Sequence, residues 1–188
     1  MNKAKIFIIS GPSGVGKGTI IEALRKMPEL SLFCAKSYTT RAERESDAEE
    51  QKYIFVDKNK FRDLEKMGEI IESNFYNNHW YGSSKSEIEK ALKSGKNIVK
   101  DIDVNGGLHY KKKFSDSILI FIKSDLKDIK QRLRHRGQNS DKEIIERLKT
   151  AQKELEKEKE YHHSVINPEG HPEKAVAEIR DIIMKEIS

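Results

Sequence analysis

The chain has 188 residues, of which 36% are hydrophobic and 36% are charged. This length predicts one globular domain, and the composition excludes a globally disordered chain. Its 36 basic residues are offset by 31 acidic ones, and the net charge of +5 is spread along the chain. We therefore expect small anionic ligands and no nucleic acid. Without a long apolar window, a leader or a second cysteine beside Cys34, the sequence predicts no membrane association and a reducing cytoplasm.

Apolar runs alternate with helical patterns, which predicts an α/β fold with a parallel sheet flanked by helices. Strands are predicted at residues 6–9, 97–103, 118–122 and 164–167. The helix after the first strand carries apolar residues at helical spacing, at Ile20, Ile21, Leu24 and Met27. The last helix opens at Pro172, a residue suited to the first turn of a helix.

Two segments depart from this alternation. Residues 37–86 are polar, with one clear helical pattern at about 58–67, so we predict an inserted mixed α+β subdomain. Residues 127–158 are strongly charged and predict a hairpin of two helices with a mobile tip at 137–140. Within it, the run ELEKEKE at 154–160 is interpreted as a solvent-exposed helix face.

The stretch GPSGVGKGT, at 11–19, lies between the first strand and the first helix. Its glycines and lysine match a phosphate-binding loop, in which backbone N–H groups and a helix N-terminus surround an oligophosphate. A tight turn without a ligand is the alternative, but the strand and the helix are themselves part of the motif. The candidate phosphate-binding residues are Gly11, Pro12, Ser13, Gly14, Val15, Gly16, Lys17, Gly18 and Thr19.

The polar insertion also concentrates groups that suit a nucleotide. Arg41 and Arg44, with Tyr53 and Tyr81, form a candidate phosphate cage, because arginine binds phosphate bidentately and phenols donate hydrogen bonds. For either tyrosine alone, ordinary packing is the simpler interpretation. Glu72 is a candidate acceptor for two N–H groups on one edge of guanine, an arrangement that adenine does not offer.

These motifs together resemble those of guanylate kinases from end to end. The matching elements are GPSGVGK (11–17), SYTTRAER (37–44), KYIFV (52–56), IIES (70–73), WYGSS (80–84), DIDVNG (101–106), RLRHRG (132–137), Arg147 and VIN (165–167). The resemblance implies a P-loop kinase core of residues 1–36, 87–126 and 159–188, a nucleoside-monophosphate-binding insertion at 37–86 and a lid at 127–158. It also implies transfer of the γ-phosphoryl group of ATP to GMP, and to dGMP, in purine nucleotide metabolism.

The resemblance also implies roles for single residues. The phosphate-binding loop and Asn167 would hold ATP, and the catalytic cations would be Lys17, Arg132, Arg136 and Arg147. The GMP phosphate would be bound by Arg41, Arg44, Tyr53 and Tyr81. Guanine would be read by Ser37, Glu72 and Ser83, with Gly82 and Asp103 beside them. For any one lid arginine, helical charge pairing is the alternative interpretation.

The expected chemistry needs no catalytic base, because a phosphate monoester is already an anion at pH 7. Asp101 and Asp103 end a predicted strand at alternate positions, so we expect both to face one side of the sheet's carboxyl edge. Mg²⁺ carried by ATP would be their partner, through water or directly, since magnesium keeps most of its waters. We expect the lid arginines to complete the site only on closure, when water is excluded.

The sequence departs from the family pattern at Gly18, where most guanylate kinases have serine; GKGT is typical of adenylate kinases. A kinase for another nucleoside monophosphate and a non-catalytic scaffold are therefore the alternative functions. Ser37 with Glu72 argues against the first, because adenine would set an acceptor nitrogen against a carboxylate. Lys17 and the lid arginines argue against the second. Lys100, within a core strand, is a further departure. The expected partners are ATP and GMP, with the chain as a monomer or a homodimer.

Overall fold

The computed structural model describes residues 4–43, 52–76, 78–135 and 140–188, without the side chain of residue 76. In this part of the chain the strands are β1 (Ile6–Ser10), β2 (Leu32–Phe33), β3 (Ser37–Thr39), β4 (Tyr53–Phe55), β5 (Ile70–Tyr76), β6 (His79–Ser84), β7 (Asn97–Asp101), β8 (Ile118–Lys123) and β9 (His163–Ile166). The α-helices are α1 (Lys17–Arg25), α2 (Lys58–Lys66), α3 (Lys85–Lys93), α4 (Val104–Lys113), α5 (Leu126–His135), α6 (Asp141–Leu155) and α7 (Pro172–Ile187). None of these helices is both long and apolar enough to cross a membrane.

The first sheet is parallel throughout and has the strand order β2-β7-β1-β8-β9. All the residues of its central strand β1 are buried, as expected for a strand that is covered on both faces. Alternate residues of a strand face opposite sides. Phe7 and Ile9 accordingly join the core shared with α1 and α7, whereas Ile6 and Ile8 join the core shared with α3 and α4. The predicted α/β fold, a parallel sheet flanked by helices, is confirmed.

The second sheet is mixed and has the strand order β4-β3-β6-β5. β3 runs parallel to β4 and antiparallel to β6, which is antiparallel to β5. Helix α2 covers this sheet, since its buried Phe61 and Leu64 pack with Ile70 of β5. Asp57 caps α2 by accepting hydrogen bonds from two backbone N–H groups of the first turn. These elements lie within residues 37–86, where the sequence predicts a mixed α+β insertion.

Helices α5 and α6 form the predicted hairpin. α6 begins with a capping box, in which the hydroxyl of Ser140 accepts from the backbone N–H of Glu143 and the Glu143 carboxylate accepts from that of Ser140. Of the predicted tip, only Ser140 falls within the described residues, and Arg136 lies outside them. The two helices share a small apolar core of Ile129, Leu133, Ile144 and Ala151.

The strand predicted at 97–103 is shorter than expected, because β7 ends at Asp101. Asp103 instead caps α4, where its carboxylate accepts hydrogen bonds from the backbone N–H groups of Asn105 and Gly106. The expectation that Asp101 and Asp103 face one side as alternate residues of a strand is therefore wrong. Met27 likewise lies beyond the end of α1 and packs against the core from the following turn.

Candidate active site

The phosphate-binding loop leads from β1 into α1 through backbone conformations that favour glycine. Gly16 has a φ of 96°, and a Cβ added there would lie 2.5 Å from the side-chain nitrogen of Asn167. A Cβ on Gly11 would overlap the carbonyl oxygen of Ile122. Within the described chain, no side chain caps the start of α1, and its first turn holds no acidic residue. The helix N-terminus therefore presents its backbone donors and positive dipole end to an anion.

Lys17 curls back over the loop that precedes it. Its ammonium group donates to the backbone oxygens of Gly11, at 2.7 Å, and Pro12, at 3.2 Å. This geometry holds a positive charge beside the helix N-terminus. Gly18 and Thr19 follow on the exposed side of α1, and no described atom lies within 4 Å of a Cβ placed on Gly18. At the position of the usual serine, the surface is therefore open.

Arg132, on α5, and Asn167, which follows β9, both contact this loop. The side-chain amide of Asn167 donates to the carbonyl oxygen of Val15 at 2.7 Å, and Arg132 donates to the same oxygen at 3.0 Å. Arg132 also donates to the backbone oxygen of Asn167 at 3.2 Å and pairs with Glu169 at 2.7 Å. These bonds join the helical hairpin to the loop and to the chain after β9. The structure thus brings two predicted site residues together at the loop.

Arg147 and Glu154 approach the loop from α6. The guanidinium of Arg147 donates to the hydroxyl of Ser13 at 3.4 Å, so two of the predicted lid arginines already contact the loop in this structure. Burial raises the pKa of Glu154, while the charge of Lys17 and a hydrogen bond from the Ser13 backbone oppose that rise. One Glu154 oxygen is buried without a hydrogen-bond partner among the described residues. Sequence reasoning missed Glu154 because its charged run is typical of a solvated helix face.

The predicted phosphate cage is assembled on the second sheet. The rings of Tyr53 and Tyr81 lie 5.9 Å apart between centroids, and the guanidinium carbon of Arg41 lies 5.3 Å from the Tyr53 centroid. Arg41 also donates to the backbone oxygen of Ala42 at 2.8 Å. One cation and two phenols therefore share one small region. Arg44, the fourth predicted member, lies outside the described residues.

The residues predicted to read guanine lie beside this cage. Ser37 of β3 stands opposite Tyr53 in one neighbouring strand and opposite Ser83 in the other, so the three side chains share one face of the sheet. The Ser83 hydroxyl donates to Glu72 at 2.7 Å. Tyr81, two residues before Ser83 on β6, lies on the same face. The structure therefore brings these predicted residues together in adjacent rows.

Glu72 is half-buried, and the loss of hydration raises the pKa of its carboxyl group. The positive charge of Lys100 and the hydrogen bond from Ser83 act in the opposite direction. The second carboxylate oxygen of Glu72 is buried and has no hydrogen-bond partner among the described residues. Gly82, also predicted here, is buried, and a Cβ on it would lie 2.5 Å from Ile70. The structure gives Gly82 a packing role between β5 and β6.

Two contacts connect the second sheet to the carboxyl edge of the first. Asn74, directly opposite Tyr81 in the sheet, donates to the Asp103 carboxylate at 2.8 Å. Lys100 of β7 donates to the Ser37 hydroxyl at 2.7 Å. Because β7 lies next to β1 in the first sheet, these contacts set the face that carries the tyrosines and serines toward the edge from which the phosphate-binding loop emerges.

Carboxylates are dispersed along this edge. Asp101 is exposed at the end of β7, and Asp103 is half-buried and already accepts three hydrogen bonds. Over the residues that the structure describes, no three His, Cys, Asp or Glu side chains are grouped to hold a metal ion. Mg²⁺ bound to nucleotide phosphates needs only one or two carboxylates and keeps several waters. Glu154, which has an oxygen unpartnered among the described residues and interacts electrostatically with Lys17 and Asp103, lies beside the phosphate-binding loop, where nucleotide phosphates would bring such an ion.

Comparisons with known proteins show the family to which this chain is similar. The family model described as guanylate kinase matches residues 3–186. The chain is 38% identical to the guanylate kinase of Mycoplasma genitalium over 187 residues, which cover 98% of this chain and 77% of that protein. It is 36% identical to the guanylate kinase of Caldanaerobacter subterraneus subsp. tengcongensis over 182 residues, which cover 96% of this chain and 87% of that protein.

A solved structure is similar as well. The crystal structure of guanylate kinase from Anaplasma phagocytophilum matches with a TM-score of 0.78 at 26% identity, and the match covers 99% of this chain and 87% of that chain. The resemblance seen in the sequence motifs is thereby confirmed across nearly the whole chain. This chain belongs to the guanylate kinase family, whose known activity is the ATP-dependent phosphorylation of GMP.

Proposed function

We propose that this chain transfers the γ-phosphoryl group of ATP to GMP or dGMP, with ATP on the phosphate-binding loop and GMP on the second sheet. One observation carries the proposal: on one face of the second sheet, Ser37 and Ser83 share a row with Tyr53 and lie one row from Tyr81, and this face is joined to the edge from which the loop emerges. That spacing suits a base and a phosphate of one nucleotide. Among the described residues, the candidate contacts are to the base and the phosphate and not to the ribose, so we propose dGMP as an acceptor as well.

Base recognition rests on hydrogen-bond direction. Guanine presents an acceptor oxygen next to two N–H donors, whereas adenine presents an amino donor next to an acceptor nitrogen. Ionised Glu72 is an acceptor only, and its buried second oxygen suits an N–H of the base. A site built to satisfy such groups rejects a base that leaves them unpaired. These residues therefore favour GMP over AMP.

Phosphoryl transfer would rely on positioning and on cations. Lys17 would move from the loop carbonyls to the outer phosphates of ATP. Arg132 and Arg147 would stabilise the negative charge on the phosphoryl group while it is transferred to the acceptor. Arg41 and the tyrosine pair would align the acceptor phosphate, and this alignment lowers the entropic part of the activation free energy. We propose Arg136 and Arg44 as further members on the strength of the family motif.

We propose Mg²⁺ as the cofactor that accompanies ATP. Asp101 and Asp103, through water, are the residues that would hold it beside the nucleotide phosphates, and we add Glu154, which interacts electrostatically with Asp103. When bound, the ion supplies charge neutralisation of the phosphate oxygens. Gly18 contributes no hydroxyl to it. The monomeric or homodimeric state and the reducing cytoplasm, which the single cysteine suggests, stand as predictions.

The proposal is tested by measuring ADP formation from ATP and Mg²⁺ with GMP, dGMP, AMP, CMP and UMP in parallel. We expect turnover with GMP and dGMP alone. Turnover with AMP would show that the GKGT loop is the better guide to specificity. Binding of GMP without turnover would favour the scaffold. A Lys17→Met variant is the control, because it should still bind GMP on the second sheet and yet form GDP at least about 100-fold more slowly.

A further inference from the structure

Lys100 is a buried cation that the proposed mechanism does not use. It lies in β7, next to the central strand, and its side chain is only 3% exposed. The preceding residues of the strand, Ile98 and Val99, are fully buried apolar residues. Lysine is rarely buried in this way unless its ammonium group is paired, because the loss of hydration is expensive. The partners of Lys100 therefore indicate what it does.

Those partners lie in the guanine-reading part of the site. The ammonium group donates to the Ser37 hydroxyl oxygen at 2.7 Å and to the backbone oxygen of Ala35 at 2.9 Å. It also interacts electrostatically with Glu72, where it partly offsets the rise in pKa that burial causes. Burial lowers the pKa of Lys100 itself, while the negative charges of Glu72 and Asp101 oppose that change. The backbone oxygen of Ala35 can only accept a hydrogen bond, and the neighbouring Glu72 carboxylate stabilises a positive charge, so both favour the protonated amine.

The contact with Ser37 decides the direction of that hydroxyl. An ammonium group has three N–H donors and no acceptor, so the oxygen of Ser37 must accept from Lys100. The one hydrogen of the Ser37 hydroxyl is then available to a different acceptor. Ser37 therefore faces the site as a hydrogen-bond donor, polarised by a neighbouring charge.

The effect on Glu72 is complementary. Ser83 donates to one Glu72 oxygen, and the other is buried without a partner among the described residues. The hydroxyl of buried Tyr110 also lacks a partner there, and the charge of Glu72 contributes to its raised pKa. By offsetting burial, Lys100 favours ionised Glu72, which accepts hydrogen bonds and does not donate. A donor at Ser37 beside an acceptor at Glu72 matches the O6 and N1–H groups of a 6-oxopurine and opposes those of a 6-aminopurine.

We propose that Lys100 is a specificity-determining positioning residue, which orients Ser37 as a donor and keeps Glu72 an acceptor so that the site selects 6-oxopurine nucleotides. The inference rests on the proposed function and deepens it. Lys100 acts through these two side chains and need not touch the nucleotide itself.

The test compares Lys100→Met with Lys112→Met, a matched change at an exposed lysine on α4. Methionine keeps the length and apolar stem of lysine but removes the charge and the donors. We expect Lys100→Met to lower kcat/KM for GMP by about 10- to 100-fold, the range for a lost charged hydrogen bond. The KM for ATP should stay within about twofold of the wild-type value. The ratio of kcat/KM for GMP to that for AMP should fall by about as much as kcat/KM for GMP itself. Lys112→Met should match the wild type.

Two further readouts separate positioning from a general structural role. Adding Lys100→Met to a Ser37→Ala protein should lower kcat/KM for GMP by a smaller factor than the same change in the wild type, because part of the effect of Lys100 passes through Ser37. The rest passes through Glu72, so GMP use by Lys100→Met should recover as the pH rises and Glu72 ionises, whereas the wild type should change less. The other titratable groups near this pair include Cys34, Asp101, Tyr110 and Lys113, which donates to the backbone oxygen of Ile71, and all of them are present in both proteins.

The outcomes distinguish this inference from the function on which it rests. A wild-type protein inactive with GMP would overturn the proposed function. An active wild type with unchanged GMP kinetics and base preference in Lys100→Met would overturn the role of Lys100 alone, as would equal losses for GMP and ATP. If Lys100→Met fails to fold, Lys100→Gln, which keeps an N–H donor for Ala35, is measured in the same way. It should show the same pH-dependent loss of GMP use.

Discussion

Alanine substitutions at two glycines of the phosphate-binding loop should change stability in opposite directions. Gly16 has a φ of 96°, a conformation in which a side chain is strained, and its added Cβ would lie 2.5 Å from the amide nitrogen of Asn167. Gly18, two residues further on, lies in the first turn of α1 with ordinary helical backbone, and no described atom is within 4 Å of its added Cβ. Gly16→Ala and Gly18→Ala each add one methyl group to the same loop region, so a difference in their stability reports the difference in local backbone geometry.

The expected magnitudes follow from these contacts. The left-handed backbone costs an alanine about 1–2 kcal/mol. Displacing the Asn167 amide from the carbonyl oxygen of Val15 costs about 1 kcal/mol more. Gly16→Ala should therefore destabilise the fold by about 2–3 kcal/mol, or roughly 4–12 °C in Tm for a protein of this size. Gly18→Ala should stabilise it by about 0.5–1 kcal/mol, because alanine loses less backbone entropy than glycine in a helix.

Urea and thermal unfolding of the wild type and both variants, without nucleotide, measure these differences. Affinity for ATP, measured by titration calorimetry, should fall in Gly16→Ala, because the displaced loop no longer fits closely around the phosphates. The stability of Gly16→Ala matching that of the wild type would refute the reasoning from backbone conformation. A loss of stability in Gly18→Ala would refute the assignment of open space at that position.

The remaining predictions concern activity, pH and the helical hairpin. Lys17→Met should lower kcat by about 100-fold or more without changing the Tm, and near-normal turnover in steady-state assays would contradict its role. Glu72→Gln should raise the KM for GMP by at least about tenfold and leave the KM for ATP unchanged; equal changes would show that Glu72 does not read the base. Because burial raises the pKa of Glu72, its carboxylate protonates at a higher pH than an exposed one, so kcat/KM for GMP should fall on acidification more steeply than that for ATP. Ser140→Ala removes the cap of α6 and should cost about 1 kcal/mol in urea unfolding, with Thr150→Ala, an exposed site within the same helix, as the comparison.

Much of this architecture is predictable from local patterns. The apolar run before GPSGVGKGT and the helical spacing after it predict a loop between β1 and α1. The strand, loop and helix signals follow one another directly along the chain, so no distant contact is needed to recognise them. The start of α7 at Pro172 is predictable for the same reason. A strand is also predictable at 97–103, but its end is not. β7 ends at Asp101 because Asp103 caps the next helix, and apolar periodicity carries no information about that cap.

Only the tertiary structure decides which distant side chains meet. In the sequence, Lys100 is an isolated charge within a predicted strand. In the fold, its ammonium group donates a hydrogen bond to Ser37, 63 residues earlier in the chain. In the sequence, Glu154 is part of a charged run typical of a solvated face, yet the packing of α6 partly buries it and brings it within electrostatic range of Lys17. Hydrophobic periodicity reports which face of an element is buried, but not which polar group lies on the other side of the interface. That pairing depends on sheet order and helix packing, which arise from contacts far apart along the chain.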